Sequence, residues 1–179
     1  MKMIEMRVGA IGIEKDSGAS VVVLRDLDNR RALPIWVGLP EAKAIGFAIR
    51  NVKSPRPSTH DLLLDTIKQT GHKVKEIKIT DIESDTFIAE IVLTTGEEGS
   101  DEEPAIVLDA RPSDGIAIAM LCRVPLFVAP HILAEASISA NPEADEAEAK
   151  NFKDFIDTVK ASDFTLAGRS DQPGESPEQ

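Results

Sequence analysis

At 179 residues, 42% of them hydrophobic, the chain is long enough to bury one core and too apolar for a disordered polymer. Its formal charge of −11 speaks against a basic nucleic-acid-binding surface, and a lone cysteine, Cys122, excludes an intramolecular disulfide. No apolar run approaches the ~18 residues of a membrane helix, and the opening MKMIEMRV lacks the unbroken apolar stretch of a signal peptide, so a reducing, cytoplasmic setting with no membrane partner is expected.

The negative charge is unevenly spread. Residues 139–179 hold ten acids against four bases, and Thr94 to Pro104 adds five acids and no base, which leaves the remainder neutral. A local basic or metal-loaded cleft in that remainder is compatible with the composition, although no stripe of lysine and arginine announces one.

From Lys2 to Val37 the pattern is strand-like, with Met6, Val8, Ala10 and Gly12 alternating, then the β-branched SVVVLRDL, then a DNRR turn into ALPIWV. Three strands, antiparallel neighbours, are expected. The period then changes: Pro40 and Glu41 suit a first helical turn, and Ile45, Ala48, Ile49 and Val52 share one face. Ala42, Ala44, Gly46 and Ala48 let another element approach this helix closely. KSPRPS stops it, and a second helix runs through LLLDTIKQT to Gly71.

VKEIKIT and TFIAEIVLT alternate again and predict a hairpin around ESD, followed after the acidic loop by a short strand AIVLD. GIAIAMLC is apolar on every side, as in a helix buried on more than one face or covered by a subunit. PLFVA reads as a last strand and HILAEAS as a short helix. The expected domain is α+β and spans 1–138. An acidic segment and terminal helix with Phe152, Phe155, Ile156 and Val159 on one face fill 139–164, and a disordered tail fills 165–179.

Arg-Pro-Ser occurs twice, in RPSTHD (Arg56 to Asp61) and RPSD (Arg111 to Asp114). Capping explains much of this: Ser58 and Asp61 fit a capping box, while Ser113 suits the cap of the apolar helix and Asp114 its positive end. His60 shares a helical face with Leu63, Leu64 and Ile67 and therefore points inward, as a satisfied core histidine or as a base or ligand. Asp109, Arg111 and Asp114 crowd a strand–helix junction, where desolvation is expensive unless the groups pair or bind an ion. A guanidinium and free helix N–H groups can hold a phosphodiester, and a divalent metal on carboxylates can activate water. Glu41, Asp61, Asp109 and Asp114 are candidate carboxylates, with Arg56 and Arg111 candidate phosphate clamps. There is no zinc-ligand pair, phosphate-cradling glycine loop or nucleophile elbow, and Cys122 lies within an apolar helix.

Taken together, LPIWVGLPEAKAI, RPSTHDLL, TFIAEIVL and DARPSDGIAIAML resemble the bifunctional nuclease domain family, in order from about Met3 to Ser137. The resemblance implies an α+β domain with a mixed, largely antiparallel sheet, homo-oligomers, and nuclease activity on DNA and RNA. Its pattern falls on Trp36, Glu41, Arg56, Thr59, His60, Asp61, Asp109, Arg111, Ser113 and Asp114. Where the family usually has alanine, this chain has Gly115, which is expected to loosen the helix start.

The leading expectation is metal-assisted phosphodiester hydrolysis. It assigns catalysis to His60, Asp61, Asp109 and Asp114, phosphate binding to Arg56, Thr59, Arg111 and Ser113, and Mg²⁺ or Mn²⁺ to Glu41, Asp109 and Asp114. Arg56, His60, Asp109, Arg111 and Asp114 are expected to meet in one polar site. The competing expectation is a non-catalytic oligomeric binding or regulatory module, favoured by the neutral core and by the few aromatics for base stacking, six Phe and one Trp with no Tyr.

Overall fold

A computed structural model describes residues 2–52, 54–84, 86–95, 106–143, 146, 147 and 150. The chain divides into two compact units, Met1–Asn141 and Pro142–Gln179. In the second unit the described residues are helical. The expected face of Phe152, Phe155, Ile156 and Val159, the tail from 165 and most of the acidic loop lie outside the described residues.

In the first unit, β1 (Ile4–Ile13), β2 (Ser20–Asp26) and β3 (Arg31–Val37) form an antiparallel meander. The DNRR turn closes because Asn29 takes a left-handed φ of 54° and the Asp26 carboxylate accepts from the backbone N–H groups of Arg30 and Arg31. Two helices follow, α1 (Leu39–Ile49) and α2 (Thr59–Gln69), and then the antiparallel pair β4 (Lys73–Glu83) and β5 (Thr86–Thr94). The rest is β6 (Ile106–Ala110), α3 (Pro112–Cys122), β7 (Leu126–Val128), α4 (Pro130–Ala136) and β8 (Ile138–Ser139).

All eight strands join one sheet in the order β6-β5-β4-β7-β1-β2-β3-β8. β7 runs parallel to β4, and every other neighbouring pair is antiparallel, so the class is α+β with a mixed, mostly antiparallel sheet. β8 has no counterpart in the sequence reading. Its two residues, paired with Arg31 and Ala32, are too few to show a period.

The core lies between the sheet and the helices, and includes Leu24, Leu33, Ile77, Ile79, Ile116 and Ile118, each fully buried. Burying one such side chain is worth about 1.5–3 kcal/mol before the cost of ordering it. The apolar helix α3 buries Ile116, Ala117, Ile118 and Ala119 against β4, β5 and α1, as its uniform hydrophobicity anticipates. Gly115 has a packing role rather than a loosening one: a Cβ there would lie 2.8 Å from Ile77 Cγ2. The glycine is what lets the start of α3 settle onto β4, and that contact fixes the height of Arg111 and Asp114 above the sheet.

Candidate functional site

Three helices begin around one cavity of about 630 Å³. Pro40 and Glu41 enter it from α1, Thr59 and His60 from α2, and Arg111 and Asp114 from α3, over Ile91 of β5 and Leu108 of β6. A helix start leaves backbone N–H groups without intrahelical partners and carries partial positive charge. Acids therefore gather here for a physical reason, and each helix has one in its first turn: Glu41, Asp61 and Asp114.

The two Arg-Pro-Ser stretches enter their helices in different frames. In α2 the cap is Ser58, whose hydroxyl accepts from the Asp61 N–H while the Asp61 carboxylate accepts from the Ser58 N–H at 2.8 Å. The Ser58 backbone bond, followed by its hydroxyl, holds the Asp61 carboxyl below the usual carboxylate range. Asp61 is thus engaged by the cap and lines the neighbouring cavity instead. Arg56 lies outside this helix, exposed, with no hydrogen bond or ion pair among the described residues.

In α3 the helix starts at Pro112, so Arg111 itself occupies the cap position and its side chain stands at the helix mouth. Ser113, expected as the cap, is the second helical residue; it is buried and lines neither cavity. The same three letters therefore deliver an arginine to the site once and not twice.

Arg111 holds the cluster together. Its Nε and Nη2 donate to Asp114 Oδ2 and Oδ1 at 2.8 and 3.1 Å, and Nη2 also meets Glu41 Oε1 at 2.9 Å. His60 Nε2 lies 3.1 Å from Asp114 Oδ1. Burial pushes the Asp114 carboxyl up, but the hydrogen bonds from Arg111 and His60 outweigh it, so the group titrates below the usual range. Asp114 is thus a carboxylate and can only accept, so His60 Nε2 is the donor of this bond, and in the neutral tautomer of the ring Nδ1 is the basic nitrogen. The two carboxylates raise the Arg111 guanidinium above its ordinary value, Asp114 first.

Burial grades the cluster from inside outward. The side chains of His60, Glu41 and Asp114 are 13%, 17% and 27% exposed, whereas that of Arg111 is 65% exposed. Of the five guanidinium N–H donors, the Nε one and both on Nη2 are used, and the pair on Nη1 has no partner among the described residues.

Gly38 leaves room for this placement of Glu41: a Cβ at Gly38 would run into the carboxylate, the mobile end of that side chain. Gly38 is the residue that sequence reasoning missed, and its only signal is a glycine directly before Leu-Pro-Glu. Asp109 also lines the cavity, but it is exposed on β6 opposite Glu90 and makes no ion pair among the described residues. Trp36 lies elsewhere, 55% exposed, with Nε1 donating to Glu14 at 3.4 Å.

The donor set does not fit Mg²⁺ or Mn²⁺. Among the described residues no three His, Cys, Asp or Glu side chains converge as metal ligands. Glu41 and Asp114 instead direct oxygens at Arg111, and Asp109 takes no part in their ion pairs among the described residues.

Residues 22–141 match the bifunctional nuclease domain, a segment that contains Glu41, His60, Arg111 and Asp114. An uncharacterized protein of Mycobacterium tuberculosis is 38% identical over 168 residues, which are 89% of this chain and 97% of that one. Bifunctional nuclease 2 of Oryza sativa subsp. japonica is 33% identical over 117 residues, 65% of this chain and 35% of the rice protein. Bifunctional nuclease 2 of Arabidopsis thaliana is 31% identical over 110 residues, 61% of this chain and 32% of its own length.

Proposed function

The chain belongs to the bifunctional nuclease domain family, and we propose that it hydrolyses phosphodiester bonds of DNA and RNA at the cavity where α1, α2 and α3 begin. The observation that carries this reading is the chain of contacts from His60 through Asp114 and Arg111 to Glu41 at that cavity. In it, an oriented base stands beside an exposed guanidinium with two donors to spare.

The roles follow from the contacts. Arg111 binds a non-bridging phosphate oxygen through Nη1, while Glu41 and Asp114 hold the rest of its fork still. Free N–H groups at the starts of α1 and α2, Glu41 and Thr59 among the residues that line the cavity, add neutral donors to the phosphate. His60 takes a proton at Nδ1 from the water whose oxygen bonds to phosphorus, and the P–O bond opposite it breaks with the leaving oxygen protonated by solvent. The Asp114 carboxylate keeps the proton on Nε2 and stabilises the imidazolium that forms. Each role belongs to a side chain or backbone group of this protein, and none is routed through a divalent metal.

Two further features belong to the proposal. A cytoplasmic location is supported by the lone cysteine. A homo-oligomer is supported by Leu39 and Leu62, which expose 72% and 62% of their surface. No helix among the described residues is long and apolar enough to cross a membrane.

The test is hydrolysis of single-stranded DNA and RNA by purified protein and by Arg111→Ala, with folding checked by circular dichroism. The variant is expected to lose activity while remaining folded; equal activity would place the chemistry elsewhere.

One observation favours a second reading, a non-catalytic binding or regulatory module. Glu41, Asp114 and Arg111 sum to −1 with His60 neutral, in a chain of charge −11, so the net charge of the cluster does not draw anions to it. Under this reading Arg111→Ala lowers stability, and the wild-type protein binds but does not cleave.

A further inference from the structure

A second cavity, about 610 Å³, adjoins the first and shares Ala44, Ser58 and His60 with it. It lies between the end of α1, the segment that follows it, and the end of α3. Its walls are Phe47, Ala48, Ile49, Val52, Met120 and Leu121, and its polar groups are Asn51, Ser54 and Arg123 beside the shared residues and Asp61. Lys43 sits 5.5 Å above the Phe47 ring. None of these groups is used in the hydrolysis described above except His60.

We infer that this second cavity is a subsite for the nucleobase next to the phosphate held at Arg111, and that the substrate is therefore single-stranded. The inference rests on the proposed nuclease reading and deepens it. His60 stands in the wall common to both cavities, so a phosphate at its catalytic side leaves the adjoining nucleoside only a short reach from the other.

The chemistry of the second cavity complements a base. A base is apolar on its faces and polar at its edges, and the cavity pairs aliphatic walls and one phenyl ring with an amide, a hydroxyl and a guanidinium. Its volume falls within the range of about 300–1,000 Å³ typical of small-molecule sites.

The electrostatics point the same way. The guanidinium at the phosphate site is already balanced by two carboxylates, and the chain carries −11, so phosphate attraction contributes little to affinity. Burial of a base against apolar walls supplies what the charges do not. A base stacked inside a duplex cannot enter such a cavity without leaving its partner, which gives a preference for single strands.

The experiment compares adenosine 5′-monophosphate with ribose 5-phosphate on the full chain, following methyl NMR shifts and affinity. The nucleotide is expected to shift Ala48 and Leu121 methyls and to bind about tenfold more tightly than the sugar phosphate, in the range set by one base contact. Ribose 5-phosphate should shift only groups around Arg111. Ala48→Phe, which fills the cavity, and Leu121→Ala, at a position 38% exposed, should each weaken the nucleotide and leave the sugar phosphate unchanged. Equal binding of the two compounds, with shifts confined to the Arg111 side, overturns the subsite and leaves the nuclease reading standing. Binding of neither compound overturns both. A variant that changes only the oligomeric mass would show the cavity to be a contact with a second copy, which also overturns the inference.

Discussion

Asp114 Oδ1 and His60 Nε2 lie 3.1 Å apart although 54 residues separate them in the chain. The bond ties the first turn of α2 to the first turn of α3, and Arg111 extends it to Glu41 on α1. The starts of three helices are thereby joined through side chains, so the electrostatic state of one carboxylate bears on stability and on the orientation of the His60 ring.

Asp114→Asn should destabilise the protein by about 1 kcal/mol at neutral pH, a modest figure because Arg111 is mostly exposed. The folded-state pKa of Asp114 is depressed, so its contribution is present above the unfolded value, about 3.9. It is lost as pH falls through the folded value. Urea unfolding from pH 7 down to pH 3 should show the wild-type advantage shrinking below about pH 4. A difference that stays constant over that range would mean that Asp114 contributes through shape alone.

Asp61→Ala should cost about 1 kcal/mol through loss of the capping box. Hydrolysis per folded molecule should change little, because the Asp61 carboxylate is occupied by Ser58. Chemical denaturation and single-turnover rates on the same preparation separate the two effects.

Gly115→Ala gains helix propensity but forces a methyl to within 2.8 Å of the buried Ile77. Overpacking costs about 1–3 kcal/mol against a propensity gain of about 1 kcal/mol, so the variant should be less stable than wild type. A thermal melt with a higher midpoint than wild type would show that β4 yields more readily than its packing implies.

Much of the local architecture was legible in the sequence. The capping box at Ser58 and Asp61 is written within four residues, and the inward direction of His60 follows from its spacing to Leu63, Leu64 and Ile67. That His60 meets Asp114 was expected from the charge at the two junctions, whereas the contact geometry was not legible, because no local period says that α2 and α3 start side by side. Arg56 and Arg111 have the same two following residues, yet only Arg111 reaches the cluster. The difference is the helical frame: Pro112 begins α3 at once, whereas α2 begins two residues after Pro57, at Thr59. Gly38 was invisible for a related reason, since its role depends on a rotamer of Glu41.

Arg111→Ala should create affinity for Mn²⁺, because it removes the cation that Glu41 and Asp114 now share and leaves two carboxylates beside His60. Isothermal titration of wild type and variant with Mn²⁺ checks this, with tighter binding expected in the variant. Tight binding by wild type, with paramagnetic broadening at His60, would show that the carboxylates leave Arg111 for a metal.

The central claim is that His60, oriented by Asp114, supplies the base. The most direct measurement is the rate of cleavage of a labelled single-stranded oligonucleotide by His60→Gln and wild type, purified in parallel and shown to be equally folded. The account predicts a fall of about a hundredfold or more, the usual worth of a positioned base. Cleavage at the wild-type rate would contradict it.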